Sequence, residues 1–164
     1  MDRVRDITAA SCRAELCLLA ARFVLPGLGP RVDKAIEVAC DLLTLGLDTR
    51  ATVDVAGLGY GTPFRDAESL IRDMLIEQHV PVPEPGAGEA VKFRVVLRAF
   101  GAGALDVGEF AAVFYARLPA WDQQDKTERR LVVLLDNWEH EATADGRAGT
   151  AAAMRQVAKS ASGQ

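Results

Sequence analysis

Three glycines at alternate positions, Gly57, Gly59 and Gly61, lie between a β-branched run (TVDV, 52–55) and an amphipathic stretch that begins after Thr62. A glycine-rich loop between a buried strand and a helix can set backbone N–H groups against a phosphate, the chemistry of a nucleotide-binding enzyme. That chemistry needs GxGxxG, and here the third glycine falls one residue early. Asp54 also interrupts the run where a buried parallel strand should be apolar, and no Walker lysine follows. The better reading is a short helix, about Arg50 to Ala56, capped by Thr49 and stopped by Gly57 in the left-handed conformation.

The overlapping stretch LGLDTRATV (45–53) resembles the turn of a helix-turn-helix DNA reader with one residue inserted. Its second helix would offer only Arg50 to the duplex and would carry Asp54, which phosphate repels. The plain alternative is a helical hairpin with Gly46 at the helix stop. DNWEHE (136–141) holds the densest set of metal-binding types, since Asp136, Glu139 and His140 can share a helix face. A metal site usually takes three or four ligands, and the HExxH spacing is absent, so a solvated face with Trp138 turned inward is expected. There is no GxSxG motif and no cysteine near either histidine in the chain. No catalytic, cofactor-binding or metal-binding residue is therefore assigned, and the chain is not expected to be an enzyme.

The totals narrow the class further. The chain has 164 residues, 49% of them hydrophobic and 26% charged, with a net charge of −4. That length suits one domain with a sizeable core, and the acidity disfavours nonspecific nucleic-acid binding, which needs surplus Lys and Arg. Cys12, Cys17 and Cys40 form no CxxC and read as small buried hydrophobes of a reducing cytosol. The apolar run Leu16–Leu28 is broken by Arg22, Pro26 and Gly27, so no membrane span is expected. The location expected is cytoplasmic.

Positioning falls to helices. Val32, Ile36, Ala39, Leu43 and Leu47 recur at helical spacing. So do Phe64, Ala67, Ile71 and Leu75, behind a Thr62 cap and Pro63, with Glu68 and Arg72 four apart. Asp106 and Glu109 make a capping box ahead of Val107, Phe110 and Phe114. A later helix begins near Thr127, with Leu131, Leu134, Leu135 and Trp138 inward and Glu128 in water. The Thr8–Leu25 stretch is apolar nearly all round and reads as a central helix. KFRVVLRAF (92–100) and RLVVLLDNW (130–138) could be buried strands, but their helical flanks favour helix. VPVPEPGAGE (80–89) reads as an extended linker, ADGRAGT (144–150) as a break, and SASGQ as a frayed end. The expectation is an all-α fold, a single compact bundle of six to eight helices, with halves 1–79 and 90–160 joined by the linker.

The stretches LLTLGLDTRATVDVAGL, GTPFRDAESLIRDMLIEQHVPVP, GALDVGEFAAVFYARL and LLDNWEHE resemble small uncharacterised helical proteins of high-GC actinobacteria. The resemblance spans roughly residues 36–141, implies an all-α fold in a bacterial cytosol, and carries no activity. Without a site for chemistry, a helical domain most often works through a surface. The reading is an interaction or regulatory module that binds another protein or itself, with no cofactor. The aromatic segment of Tyr115, Trp121 and Asp122 is its candidate contact, because Trp and Tyr are favoured interface anchors. The linker 80–89 is a second candidate. The alternatives are helix-turn-helix DNA binding and, behind it, a nucleotide enzyme using the Gly57–Gly61 loop.

Overall fold

The computed structural model describes residues 7–25, 29–118 and 123–163, and within them the fold is all-α, with eight helices and no strand. These are α1 (Ala9–Arg22), α2 (Val32–Thr44), α3 (Arg50–Ala56), α4 (Phe64–Glu77), α5 (Glu89–Gly101), α6 (Val107–Arg117), α7 (Lys126–His140) and α8 (Ala144–Ala161). The two segments that could have been strands lie in α5 and α7. Packing divides the chain into two compact units that meet in sequence at Gly88 and Glu89.

The first unit holds α1–α4. Thr8 caps α1 through a reciprocal box with Ser11, and α1 buries Cys12, Leu16, Cys17, Leu19, Ala20 and Ala21. Its other positions are partly exposed, so α1 is one wall of this core and not an encircled centre. α2 ends as expected at Gly46, whose φ of +70° lets Gly46 and Leu47 donate their N–H groups back to Leu43 and Leu42. α4 ends the same way without a glycine. His79 takes the left-handed position at φ +56°, and the N–H groups of His79 and Val80 bond to Ile76 and Leu75. Leu75 and Val80, the apolar pair that accompanies such an end, are both fully buried.

At two helix ends the local chemistry differs from the expectation. Gly57 stops α3 in a right-handed conformation, at φ −79°, with its N–H still bonded to Val53. Thr62 does not cap α4; Pro63 holds the N-cap position and the helix begins at Phe64. The linker is not extended along its whole length either. Residues 84–87 form a turn in which Ala87 N–H bonds the Glu84 carbonyl, and Glu89 already belongs to α5. Val80 and Pro83 are buried, and the Pro83 carbonyl accepts a 3.0 Å bond from Arg72. Arg72 also pairs with Glu68, as the spacing predicted, and lies 4.3 Å over the Phe23 ring. One arginine thus joins the end of α1, α4 and the start of the linker.

The second unit is built on stacked aromatics. Phe100 lies 4.1 Å from Phe110 by ring centroids, Phe110 5.5 Å from Phe114, and Phe114 5.8 Å from Phe93. Leu131, Leu135 and Met154 are fully buried with them. The Asp106–Glu109 box opens α6 as predicted, with bonds of 2.7 and 2.9 Å. α5 and α8 come close at Gly101, where an added Cβ would lie 3.2 Å from the Lys159 backbone nitrogen. A second tie at this crossing is the Arg98 guanidinium, which donates to the Ser162 carbonyl. Ser162 is therefore buried and held, not frayed.

ADGRAGT is not a break but the first two turns of α8. Thr143 caps that helix on Gly146 N–H, and Arg147 donates to the Glu141 carbonyl. The Glu141 carboxylate lies so close over Gly146 that any Cβ there would strike it. A side chain at Gly146 would have to displace the Glu141 carboxylate from its bonds with Thr143.

Candidate functional site

The features read from the sequence as capable of chemistry fall at separate places. Gly57, Gly59 and Gly61 connect one helix to another, because TVDV belongs to α3. The strand that a dinucleotide loop requires is thus replaced by a seven-residue helix. His140 Nδ1 bonds the Asp136 carbonyl at 2.8 Å and lies 3.4 Å from the Asp136 carboxylate, on an exposed face. The Asp136 carbonyl and carboxylate together raise the His140 pKa. Among the described residues, no three His, Cys, Asp or Glu side chains gather to hold a metal ion. Cys12 and Cys17 are buried as expected, whereas Cys40 is exposed on α2.

Tyr115 lies on α6, 43% exposed, with its ring tilted against Phe114. Partial burial and the charges of Glu139 and Asp136 on α7 push its phenol above the usual tyrosine pKa. Its sequence partners Trp121 and Asp122 lie outside the described residues.

Sequence reasoning missed a network in the first unit, because its members are far apart in the chain. Arg13 on α1 donates to the carbonyls of Gln78 and His79, 2.9 and 3.2 Å away, at the end of α4. Gln78 Nε2 in turn donates to the Leu47 carbonyl and to the fully buried Thr52 hydroxyl. Thr52 and Thr49 share a 2.8 Å hydroxyl–hydroxyl bond, and Glu77 accepts from Ala51 N–H at 2.9 Å. The Thr49 hydroxyl and the Ala51 N–H hold the Glu77 carboxyl below its ordinary pKa. Apart from Arg13, the polar partners in this cluster lie at helix ends or in the α2–α3 turn. The network pins the α2–α3 turn and α3 against the end of α4.

Around this pinned backbone, large apolar side chains face water. Leu45, Leu47, Val53, Tyr60 and Ile76 are 36–69% exposed; Leu47 belongs to the network through its carbonyl, and Val53 and Ile76 adjoin network residues in sequence. Residues 1–88 hold 9 Lys and Arg against 13 Asp and Glu, whereas residues 89–164 hold ten of each. Arg50 itself points into solvent and is 3.9 Å from Asp54. The geometry of α2, turn and α3 follows a helix-turn-helix order, but the charge a DNA reader needs is not on this unit.

The second unit contains a part-buried charge pair that was also missed. Arg117, at the end of α6, stacks 3.6 Å over Phe93, and its Nη2 lies 3.5 Å from Glu128. Glu128 was expected in water. It is buried beneath Arg117, and it also closes a capping box with Asp125, which starts α7 one residue before Thr127. The Asp-x-x-Glu spacing was there to be read.

Fold and site together define an all-α protein of two compact helical units whose polar clusters fasten helix ends. No helix among the described residues is long and apolar enough to cross a membrane. Comparison with protein-family models, with curated proteins and with solved structures finds no match for the chain.

Proposed function

We propose that the chain is a non-catalytic helical module that acts by binding another protein or a second copy of itself. One observation supports this reading: five large apolar side chains of residues 45–76 face water on α2–α4 and their connections, and Leu47, Val53 and Ile76 among them belong to or adjoin residues that the hydrogen-bond network fastens. Apolar side chains on a preorganised backbone lose little entropy on binding, and desolvating them supplies affinity. Tyr115 is a second candidate anchor, amphipathic and half-exposed.

The test combines light scattering of the full chain with affinity capture from the native cell, with and without nuclease. The expected result is self-association, or a defined nuclease-resistant partner, that is lost in a Val53→Lys/Ile76→Lys variant of unchanged helicity. Tyr115→Ala reads the second contact in the same assay. If the charged variant binds as the wild type does, the apolar surface is not the contact. Salt-sensitive capture of duplex DNA alone, abolished by Arg50→Ala, would replace this reading with the helix-turn-helix one. Stabilisation by ATP or NAD that depends on Gly59 would replace it with the nucleotide loop.

A further inference from the structure

We infer that the second unit carries a binding cleft for a small organic oxyanion, a carboxylate or phosphate head on an apolar body. This is independent of protein binding through the first unit. Two depressions adjoin across Thr127 and Ala161, which line both. The larger, of about 460 Å³, is lined by the apolar Phe93 and Leu97 and by Arg94, Arg117 and Glu128. The other, of about 420 Å³, runs between α7 and α8, with Lys126 and Arg130 facing Ala153, Val157 and Ser160. Ala153, Ser160 and Ala161 on the α8 side lie across this groove from Lys126 and Arg130 of α7. Ligand sites commonly span roughly 300–1,000 Å³, with apolar walls and a few placed polar groups.

Charge decides the ligand class. Arg94, Arg117, Lys126 and Arg130 line the two depressions, against the carboxylates of Asp125 and Glu128. Both carboxylates are already engaged in the α7 capping box, and Glu128 also faces Arg117. The side chains of Arg94, Lys126 and Arg130 are exposed and make no hydrogen bond or ion pair among the described residues. The cleft therefore has a surplus of two positive charges beside the apolar Phe93 and Leu97, on a chain whose net charge is −4. An oxyanion head at the three rim cations and an apolar body over Phe93 and Leu97 would satisfy both halves. Charge-assisted hydrogen bonds of this kind are about twice as strong as neutral ones.

The test is an amide-resolved NMR titration of the full chain with acetate, hexanoate and hexyl phosphate. Hexanoate or hexyl phosphate should give saturable shifts at residues 93–97 and 126–130 below about 10 mM. Acetate should bind at least about tenfold more weakly than hexanoate, as expected if about two of the four extra methylenes are buried. An Arg94→Gln/Lys126→Gln/Arg130→Gln variant with an otherwise unchanged amide spectrum should lose the response. Which of the two hexyl ligands binds tighter identifies the head group. Absence of saturation with either hexyl ligand overturns the inference, as does equal binding of acetate and hexanoate, or an undiminished response in the triple variant.

Discussion

Replacing Thr52 with valine removes one hydroxyl from the network that pins α3, while keeping the side chain's shape. The hydroxyl is fully buried, shares a 2.8 Å bond with Thr49 and accepts one of 3.1 Å from Gln78. Two hydrogen bonds are lost at a net value of about 1 kcal/mol each, and the added methyl returns up to about 0.8 kcal/mol. Neither partner is left bare: Gln78 keeps the Leu47 carbonyl, and Thr49 keeps the N–H of Thr52. The full penalty of an orphaned buried group therefore does not apply, and a loss of about 1–2 kcal/mol is expected. The assay has to report on the first unit, and both tryptophans lie beyond residue 88. Hydrogen exchange of the α3 amides, read by mass spectrometry, is suitable, and their protection should fall about 5–30-fold. In a Gln78→Met background the same substitution should cost measurably less, because one of its two bonds is already gone. If Thr52→Val leaves protection unchanged, or costs the same in both backgrounds, the hydroxyl does not couple α3 to α4 and the account of the network is wrong.

Three further outcomes follow from the helix ends and the helix crossing. His79→Gly should be neutral or stabilise by up to about 1 kcal/mol, since relief of a positive φ outweighs the added chain entropy; a clear destabilisation in urea would show that the imidazole makes a contact of its own. Gly101→Ala should destabilise by about 1–2 kcal/mol despite better helix propensity, because the Lys159 backbone cannot retreat as its side chain can; a raised Tm would refute that. Glu77 has a lowered folded pKa, so the unfolded chain takes up its proton first as the solution is acidified. Its contribution is complete above the ordinary glutamate range and is lost as pH falls through the folded value. Glu77→Gln should accordingly flatten the acid limb of stability against pH and leave its shape near pH 7 unchanged.

Local chemistry made much of the fold legible. The capping box at Asp106 and Glu109, the glycine stop at Gly46, the Thr49 cap and the Glu68–Arg72 pair are all where spacing alone put them. ADGRAGT misled because two glycines in seven residues read as a break, whereas Gly146 sits inside α8 beneath the Glu141 side chain. Glu128 misled because a glutamate on an amphipathic helix belongs in water unless something closes over it, and the residue that does is Arg117. Cys40 is exposed because the buried face of α2 is centred on Ala35, Val38, Ala39 and Leu42, and the turn of about 100° per residue carries Cys40 past its edge. The Arg13 bonds lie outside any local pattern, their acceptors being 65 and 66 residues away.

The two units also differ in when they can take shape during synthesis. In the first, the packed pairs are mostly successive, α1 with α2, α2 with α3 and α3 with α4, so each helix finds its neighbour soon after it emerges. In the second, α5 and α7 both pack on α8, and α8 is made last of the three. Closing α5 onto α8 spans two intervening helices and carries the larger loop-closure cost. Until α8 leaves the ribosome, the faces of α5 and α7 that it will cover lack their partner. That interval is when the second unit is most open to a chaperone or to aggregation.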